Sequence, residues 1–290
     1  MLENTQTTKG PPLDSVSFRG WIGRERGQSD VVTRRLLDSF LATLSPRVAP
    51  VQDGEAPLGI HWCLAPEIVG MEDIGSDGHA KKLGDFLPPI PLPRRMWAGG
   101  EVEFLRPLTL DAKVERRSRI VGVEHKQGRS GQLFFVAAEH NYLTGTGVCI
   151  RERQDLVYRD AQTTPSLERS AAPGPKSGDL AWLVPSSPAL LFRYSALTFN
   201  GHRIHYDADY AVKSEGYSGL IVQAPLQATL LLNLAAVLLG RGPRHFSYRG
   251  VAPLVAGGVF QVTGDIGRDG SVSCKTTDAN SIVTMTATAS

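Results

Sequence analysis

Cysteine is scarce. The three present, Cys63, Cys149 and Cys274, are odd in number and far apart, which excludes a disulfide framework and a zinc knuckle. Reduced, buried thiols in a cytoplasmic protein are the expected state. No run of basic residues is interleaved with aromatics, and a net charge of +2 is too mild to argue for a nucleic-acid partner. The chain has no G-x-x-x-x-G-K-[ST], and no G-x-G-x-x-G joins a strand to a helix, so the usual phosphate cradles are missing. No G-x-S-x-G is present, which removes the nucleophile elbow of many hydrolases. The segment 1–12 lacks the apolar core of a signal peptide and reads as a frayed tail. Cytoplasmic placement follows, with the mitochondrial matrix open for a eukaryotic source. What remains, at 41% hydrophobic and 21% charged residues, is an ordinary soluble globular composition.

The chain is organised around the stretch from Tyr194 to Arg241. Its first half is dense in chemically capable side chains: Asn200, His202, Arg203, His205, Tyr206 and Asp207. Its second half carries no charge from Gly216 to Gly240, and from Leu226 to Leu239 apolar residues fall on nearly every face. A helix apolar all round is a membrane span or the centre of a core. Gln223, Gln227 and Asn233 argue against the membrane, because polar groups in hydrocarbon are costly. Pro225 suits a first helical turn, where its missing N–H had no partner. The stretch therefore predicts a polar loop feeding the N-terminus of a buried helix, with free backbone N–H groups facing a ligand.

The rest of the chain follows one grammar twice. Residues 30–44 have helical spacing, with Asp30 as the expected N-cap and Pro46 as the stop. A Pro- and Gly-rich stretch through Trp97 forbids a helix and favours extended chain. Strand-like runs follow at 100–105, 111–124, 131–144 and 148–158. The polar segment 160–179 reads as a linker between a first domain, 1–159, and a second, 180–290. Beyond it come an apolar lead-in at 182–184, a helix after Ser186, the polar loop and the buried helix. Strand-like runs then return at 245–254, 259–266, 272–278 and 282–289, with a turn at 267–270. Helix first and then an antiparallel meander, repeated, predicts two copies of an α+β unit.

His202 and His205 are three apart with Asp207 close by, so a metal site has to be weighed. Arg203 between them would repel a cation and no further ligand cluster stands out, so no metal is expected.

Ile204-His205-Tyr206-Asp207, followed by Ala211, Gly216-Tyr217 and Gly219-Leu220-Ile221-Val222, resembles the hydratase-2 motif of MaoC-like enoyl-CoA hydratases and dehydratases. The segments 21–25, 91–100 and 151–159 are similar to the double-hot-dog branch of itaconyl- and mesaconyl-CoA hydratases, related to fungal mitochondrial type 2 dehydratases. This resemblance implies an α+β double hot dog: two tandem long helices, each wrapped by an antiparallel sheet, the first degenerate. It implies His205 as the catalytic histidine and places Asn200 where the family has its aspartate. An amide is no base, but it can hold a water by donating and accepting hydrogen bonds. Gln223-Ala224 stand in place of the family's His-Gly. Ala224 keeps the backbone N–H that would polarise a thioester carbonyl.

The resemblance thus implies reversible hydration of an α,β-unsaturated acyl-CoA, with the CoA ester as substrate and no cofactor. Short branched or dicarboxylic acyl groups are expected, with Arg203 holding a carboxylate and His202 beside it. A fatty-acid 3-hydroxyacyl-thioester dehydratase, a thioesterase on the same fold and a non-catalytic acyl-CoA-binding protein remain alternatives. A homodimer is left open. Tyr194, Ser195 and Thr198 are expected to pack within helix or strand. A solvated face is the expectation for Arg94, Arg95, Lys126 and Arg129, with contact to the CoA phosphates a lesser alternative.

Overall fold

A computed structural model of the chain describes residues 15–81, 86–128, 131–160 and 180–290. The tail before residue 15, Arg129 and nearly all of the expected linker 160–179 lie outside them.

The first strand, β1 (Glu25–Val31), alternates exposed and half-buried side chains, as a surface strand must. Sequence reading began a helix at Asp30, and the structure corrects this. Asp30 lies within β1, just before its last residue, and its carboxylate accepts from the amides of Val31 and Ala65. Helix α1 (Arg34–Leu44) is capped by Thr33, whose extended backbone lets its hydroxyl accept from Leu36 N at 3.1 Å. Leu36, Leu37, Phe40 and Leu44 form its buried face, and the helix ends at Ser45, before Pro46 as expected. The next stretch is irregular, with short 3-10 turns at Ile60–Cys63 and Met71–Asp73. The strands β2 (Arg94–Phe104), β3 (Lys113–Gly128), β4 (Gly131–Thr144) and β5 (Gly147–Arg159) follow. The Arg94–Trp97 segment, expected as extended wrapping chain, already belongs to β2.

The second half opens with β6 (Leu180–Pro185) and α2 (Pro188–Leu197), capped by Ser187 with Pro188 at its start. A 3-10 turn (Arg203–His205), α3 (Ala208–Lys213) and α4 (Ala224–Leu239) come next. The strands β7 (His245–Gly250), β8 (Val259–Ile266), β9 (Val272–Thr277) and β10 (Val283–Ala289) close the chain. Helix α4 stops at Gly240, which takes the left-handed conformation (φ 68°) that glycine adopts without a steric penalty.

All ten strands form one antiparallel sheet, ordered β1-β3-β4-β5-β2-β7-β10-β9-β8-β6. Outward from the β2–β7 seam, β2-β5-β4-β3-β1 mirrors β7-β10-β9-β8-β6, so the two halves repeat one topology. The seam runs in register from Gly99↔Arg249 to Glu103↔His245. The halves differ at one place. Where the second has the long helix α4, the first has irregular chain.

Helix α4 is the core. Its residues from Leu226 to Ala236 are all buried, and β8, β9 and β10 pack against it. The polar groups that argued against a membrane span are satisfied inside the protein. Gln227 Oε1 accepts from Thr276 and Thr284 at 2.8 Å each. Asn233 bridges to the first half: its Oδ1 accepts from Ala49 N at 2.9 Å and its Nδ2 donates to Leu58 O at 3.1 Å. Buried polar groups must be paired, and these pairs fix which surface of α4 each half covers. Among the described residues no helix is long and apolar enough to cross a membrane.

Candidate active site

Two residues after α2 ends comes Phe199, a non-glycine residue in the left-handed region (φ 50°), which reverses the chain into Asn200. Asn200 N donates to Ser195 O at 2.8 Å, and its Oδ1 accepts from His202 N at 3.0 Å. This local bond starts the 3-10 turn that carries His205 inward. His205 is buried, with Nδ1 at 2.7 Å from Ile221 O. A carbonyl oxygen only accepts, so Nδ1 carries the proton and Nε2 is the bare, basic nitrogen. Burial lowers the His205 pKa to about 4, against a partly opposing bond from Ile221 and a small further lowering by His79. The ring is therefore neutral near pH 7 and ready to accept a proton.

The strand-like strap Ile221–Val222 leads from that bond directly into α4. Ile221 N also bonds Ile204 O at 2.9 Å, so the strap and the histidine turn move as one piece. The first N–H groups of α4, beginning at Ala224, have no intrahelical partner, and the helix dipole adds partial positive charge there. Ala224 is half-buried. A neutral base and a set of backbone donors thus lie at the two ends of one short strap.

The first half enters this site through a loop that sequence reading missed. The His79 ring packs against His202, tilted by 40° with centroids 4.0 Å apart, and His202 meets His205 edge-on at 5.4 Å. Asp77 Oδ2 lies 3.1 Å from His79 Nδ1, and Asp77 Oδ1 accepts from His79 N at 3.1 Å. The loop is pinned to the histidine turn: Arg203 N donates to Asp77 O and Arg203 Nη1 to Ser76 O, both at 2.9 Å. Gly78 (φ 87°) crosses so close to Gly201 that an added Cβ would overlap the Gly201 carbonyl oxygen. Donor atoms of Asp77, His79 and His202 all come within 4.8 Å of one another. Two features favour a carboxylate–imidazole network over a cation site. Asp77 already bonds Nδ1 of His79, and the positive charge of Arg95 bears on both histidines.

The family described as "Hydroxyacyl-thioester dehydratase type 2" matches residues 59–256. The chain belongs to that family. It is 38% identical over 243 residues to a mesaconyl-C(4)-CoA hydratase of Chloroflexus aurantiacus, covering 83% of this chain and 86% of the relative. A solved structure named a MaoC-like dehydratase superposes with a TM-score of 0.70 at 12% identity, over 92% of this chain and 97% of the other. A Mycobacterium tuberculosis protein described as having a double hotdog fold gives a TM-score of 0.56 at 15% identity, over 92% and 95% of the two chains. The fold is a double hot dog, and this chain is an enzyme of the hydratase/dehydratase class.

Within this type 2 dehydratase the remaining expected site residues take distinct places. Gln223 turns its side chain away into the core, where Nε2 donates to Leu191 O at 2.8 Å and Ser195 Oγ at 2.9 Å. Its Oε1 is buried with no protein partner. Arg203 stacks over Tyr210 and donates from Nε and Nη2 to Asp207 Oδ2 at 3.1 and 2.7 Å. Holding a substrate carboxylate would require it to share or leave Asp207. Asp207 also caps α3 by accepting from Tyr210 N at 3.0 Å. Tyr194 and Ser195 are buried packing residues, as expected; the Tyr194 hydroxyl lies 3.1 Å from Thr229 Oγ1. Arg94 departs from the expected solvated face. It is buried and ion-paired to Glu215 at 3.1 Å, because the loop after α3 folds back over the start of β2.

Asp77 and His79 left little trace in the sequence. They lie far from the motif, in irregular chain with no period to read, and only the Asp-Gly turn beside a histidine marks them.

Proposed function

We propose that the protein catalyses reversible hydration of an α,β-unsaturated acyl-CoA thioester, with His205 as the acid/base group. The single observation that carries this reading is the His205 Nδ1–Ile221 O bond, which ties a buried, neutral ring to the strap that starts α4 and leaves its Nε2 unprotonated. In the hydration direction Nε2 takes a proton from water as the water oxygen bonds to Cβ. The π pair moves through Cα toward the thioester oxygen, where the Ala224 N–H and the helix dipole would hold the enolate charge. The proton on Nε2 then passes to Cα, so the enzyme returns to its starting state. Asn200, whose Oδ1 is held by His202 N, offers its amide NH2 to position the water. No cofactor enters this scheme; the CoA ester is substrate.

A short branched or dicarboxylic acyl group, of the itaconyl or mesaconyl kind, is the proposed substrate class. The 38% identical relative named for mesaconyl-C(4)-CoA supports it. The buried free thiols fit a reducing compartment such as the cytoplasm.

The test is a panel of enoyl-CoA esters, with and without a second carboxylate, followed by loss of conjugated-enoyl absorbance and by free-thiol release. Absorbance loss without thiol release is expected, with the highest kcat/KM on dicarboxylic esters. Thiol release would mark a thioesterase, and binding without either signal would mark a non-catalytic carrier. Higher kcat/KM on straight-chain enoyl-CoA would assign the enzyme to fatty-acid dehydration instead.

A further inference from the structure

On accepting a proton His205 becomes an imidazolium inside a buried site, and a buried charge needs an opposite charge or it is costly. Its own partner, Ile221 O, is neutral, and Asn200, at the head of the turn that carries it, is an uncharged amide. Asp207, two residues on, is committed to Arg203 and to the cap of α3. The carboxylate that reaches the histidines comes from the other half of the molecule. Asp77 holds His79, the His79 ring packs against His202 at a tilt, and His202 meets His205 edge-on. Burial would raise the Asp77 pKa, but its bonds to His79 and the charges of His79 and His202 hold it well below the usual range.

We propose that Asp77, acting through His79 and His202, is the counter-charge of the catalytic site, a positioning carboxylate that the first half supplies to His205 in the second. The charged groups bearing on His79 and His202 are Asp77, Arg95 and, at His79, Glu67, and His205 in turn feels His79. Of these only Asp77 is hydrogen-bonded to a member of the histidine array. The loop around it is fixed by the backbone bond from Arg203 and the Gly78–Gly201 crossing. The position of its charge is therefore set by the fold. The catalytic part of this proposal rests on the hydratase reading above.

The test compares the full-length protein with its Asp77→Asn, Asp77→Glu and Asp77→Asn/Asn200→Asp variants. Asp77→Asn should lower kcat roughly ten- to a hundred-fold, the size of one charge interaction worth one to two pK units, with KM little changed. Losing a negative charge disfavours the imidazolium, so the acid limb of kcat/KM should move to lower pH. Asp77→Glu should keep the wild-type limb. The double variant should regain the limb, because a carboxylate is restored where residue 200 accepts from His202 N; the limb and not the rate is read, since Asn200 itself positions the water. An Asp77 that only pinned its loop would give no such rescue. A wild-type pH limb in Asp77→Asn, or a double variant that keeps the shifted limb of the single one, would overturn the proposal. So would activity lost to a chelator and restored by a divalent ion. If no enoyl ester is turned over by the wild type, the hydratase reading fails. The coupling is then read directly from NMR titration of the histidine C2 protons. A shift to lower pH in Asp77→Asn supports it, and an unchanged titration overturns it.

Discussion

The two halves share a strand order and differ in what fills the sheet. In the second half, a helix buried from Leu226 to Ala236 fills the concave face and presents its N-terminus to the site. In the first half the equivalent place in the chain order is irregular, with short 3-10 turns. That irregular chain covers α4 through Asn233 and then reaches the histidines through Asp77 and His79. The half that lacks a long helix has gained the freedom to serve its neighbour's site. A regular helix could not have done both, since its backbone groups would have been spent on itself.

Breaking the comparison starts at the shared core. Leu231 is fully buried in α4, and Leu231→Ala should cost about 2–5 kcal/mol. With β2 and β7 paired and both halves resting on α4, the expected thermal melt is one transition that shifts as a whole. Two separated transitions would show the halves to be independent domains. Gly78→Ala should cost about 1–3 kcal/mol, from its left-handed backbone and the overlap with Gly201. The loss of rate should exceed the loss of stability, because the loop carrying Asp77 has to retreat. Kinetics and melting measured on one preparation decide this.

A smaller effect separates structural from chemical histidines. His61, in the first half, is fully buried with neither ring nitrogen bonded, packed against Trp62, Phe104 and Tyr142. Burial lowers its pKa from 6.5 to about 3. A histidine depressed in the folded state binds its proton more readily when unfolded. Its stabilisation is thus present above about pH 6.5 and is lost as pH falls toward the folded value. His61→Phe should flatten that acid loss by about 1.4 kcal/mol per pH unit and leave turnover at neutral pH nearly unchanged. A variant with the wild-type acid profile would contradict this.

Much of the fold was legible because periodicity is local. Seven of the eight expected strand runs overlap their strands closely, and the charge-free run 216–240 announced α4. The eighth, at 100–105, caught only the end of β2, because Pro91 and Pro93 masked its start. β1 was missed since Glu25–Val31 has few apolar residues and pairs at the sheet edge. His205 and Asn200 stood in one compact motif, and the structure keeps them on one short turn. The Gln223 side chain, which packs inward against α2, and the Arg94–Glu215 pair depend on chain packing that no local pattern encodes. Asp77 and His79 are the extreme case: their meaning exists only once two distant segments cross at Gly78 and Gly201.

The central claim is that His205 moves the proton in water addition to a thioester-activated double bond. It is tested most directly by running the reaction in 18O-labelled water and D2O, with wild-type protein and His205→Ala. The account predicts 18O at Cβ and deuterium at Cα in the wild-type product. In the variant, both should form slower by a factor on the order of 10²–10⁴, with substrate affinity little changed. Near wild-type incorporation by His205→Ala would contradict it.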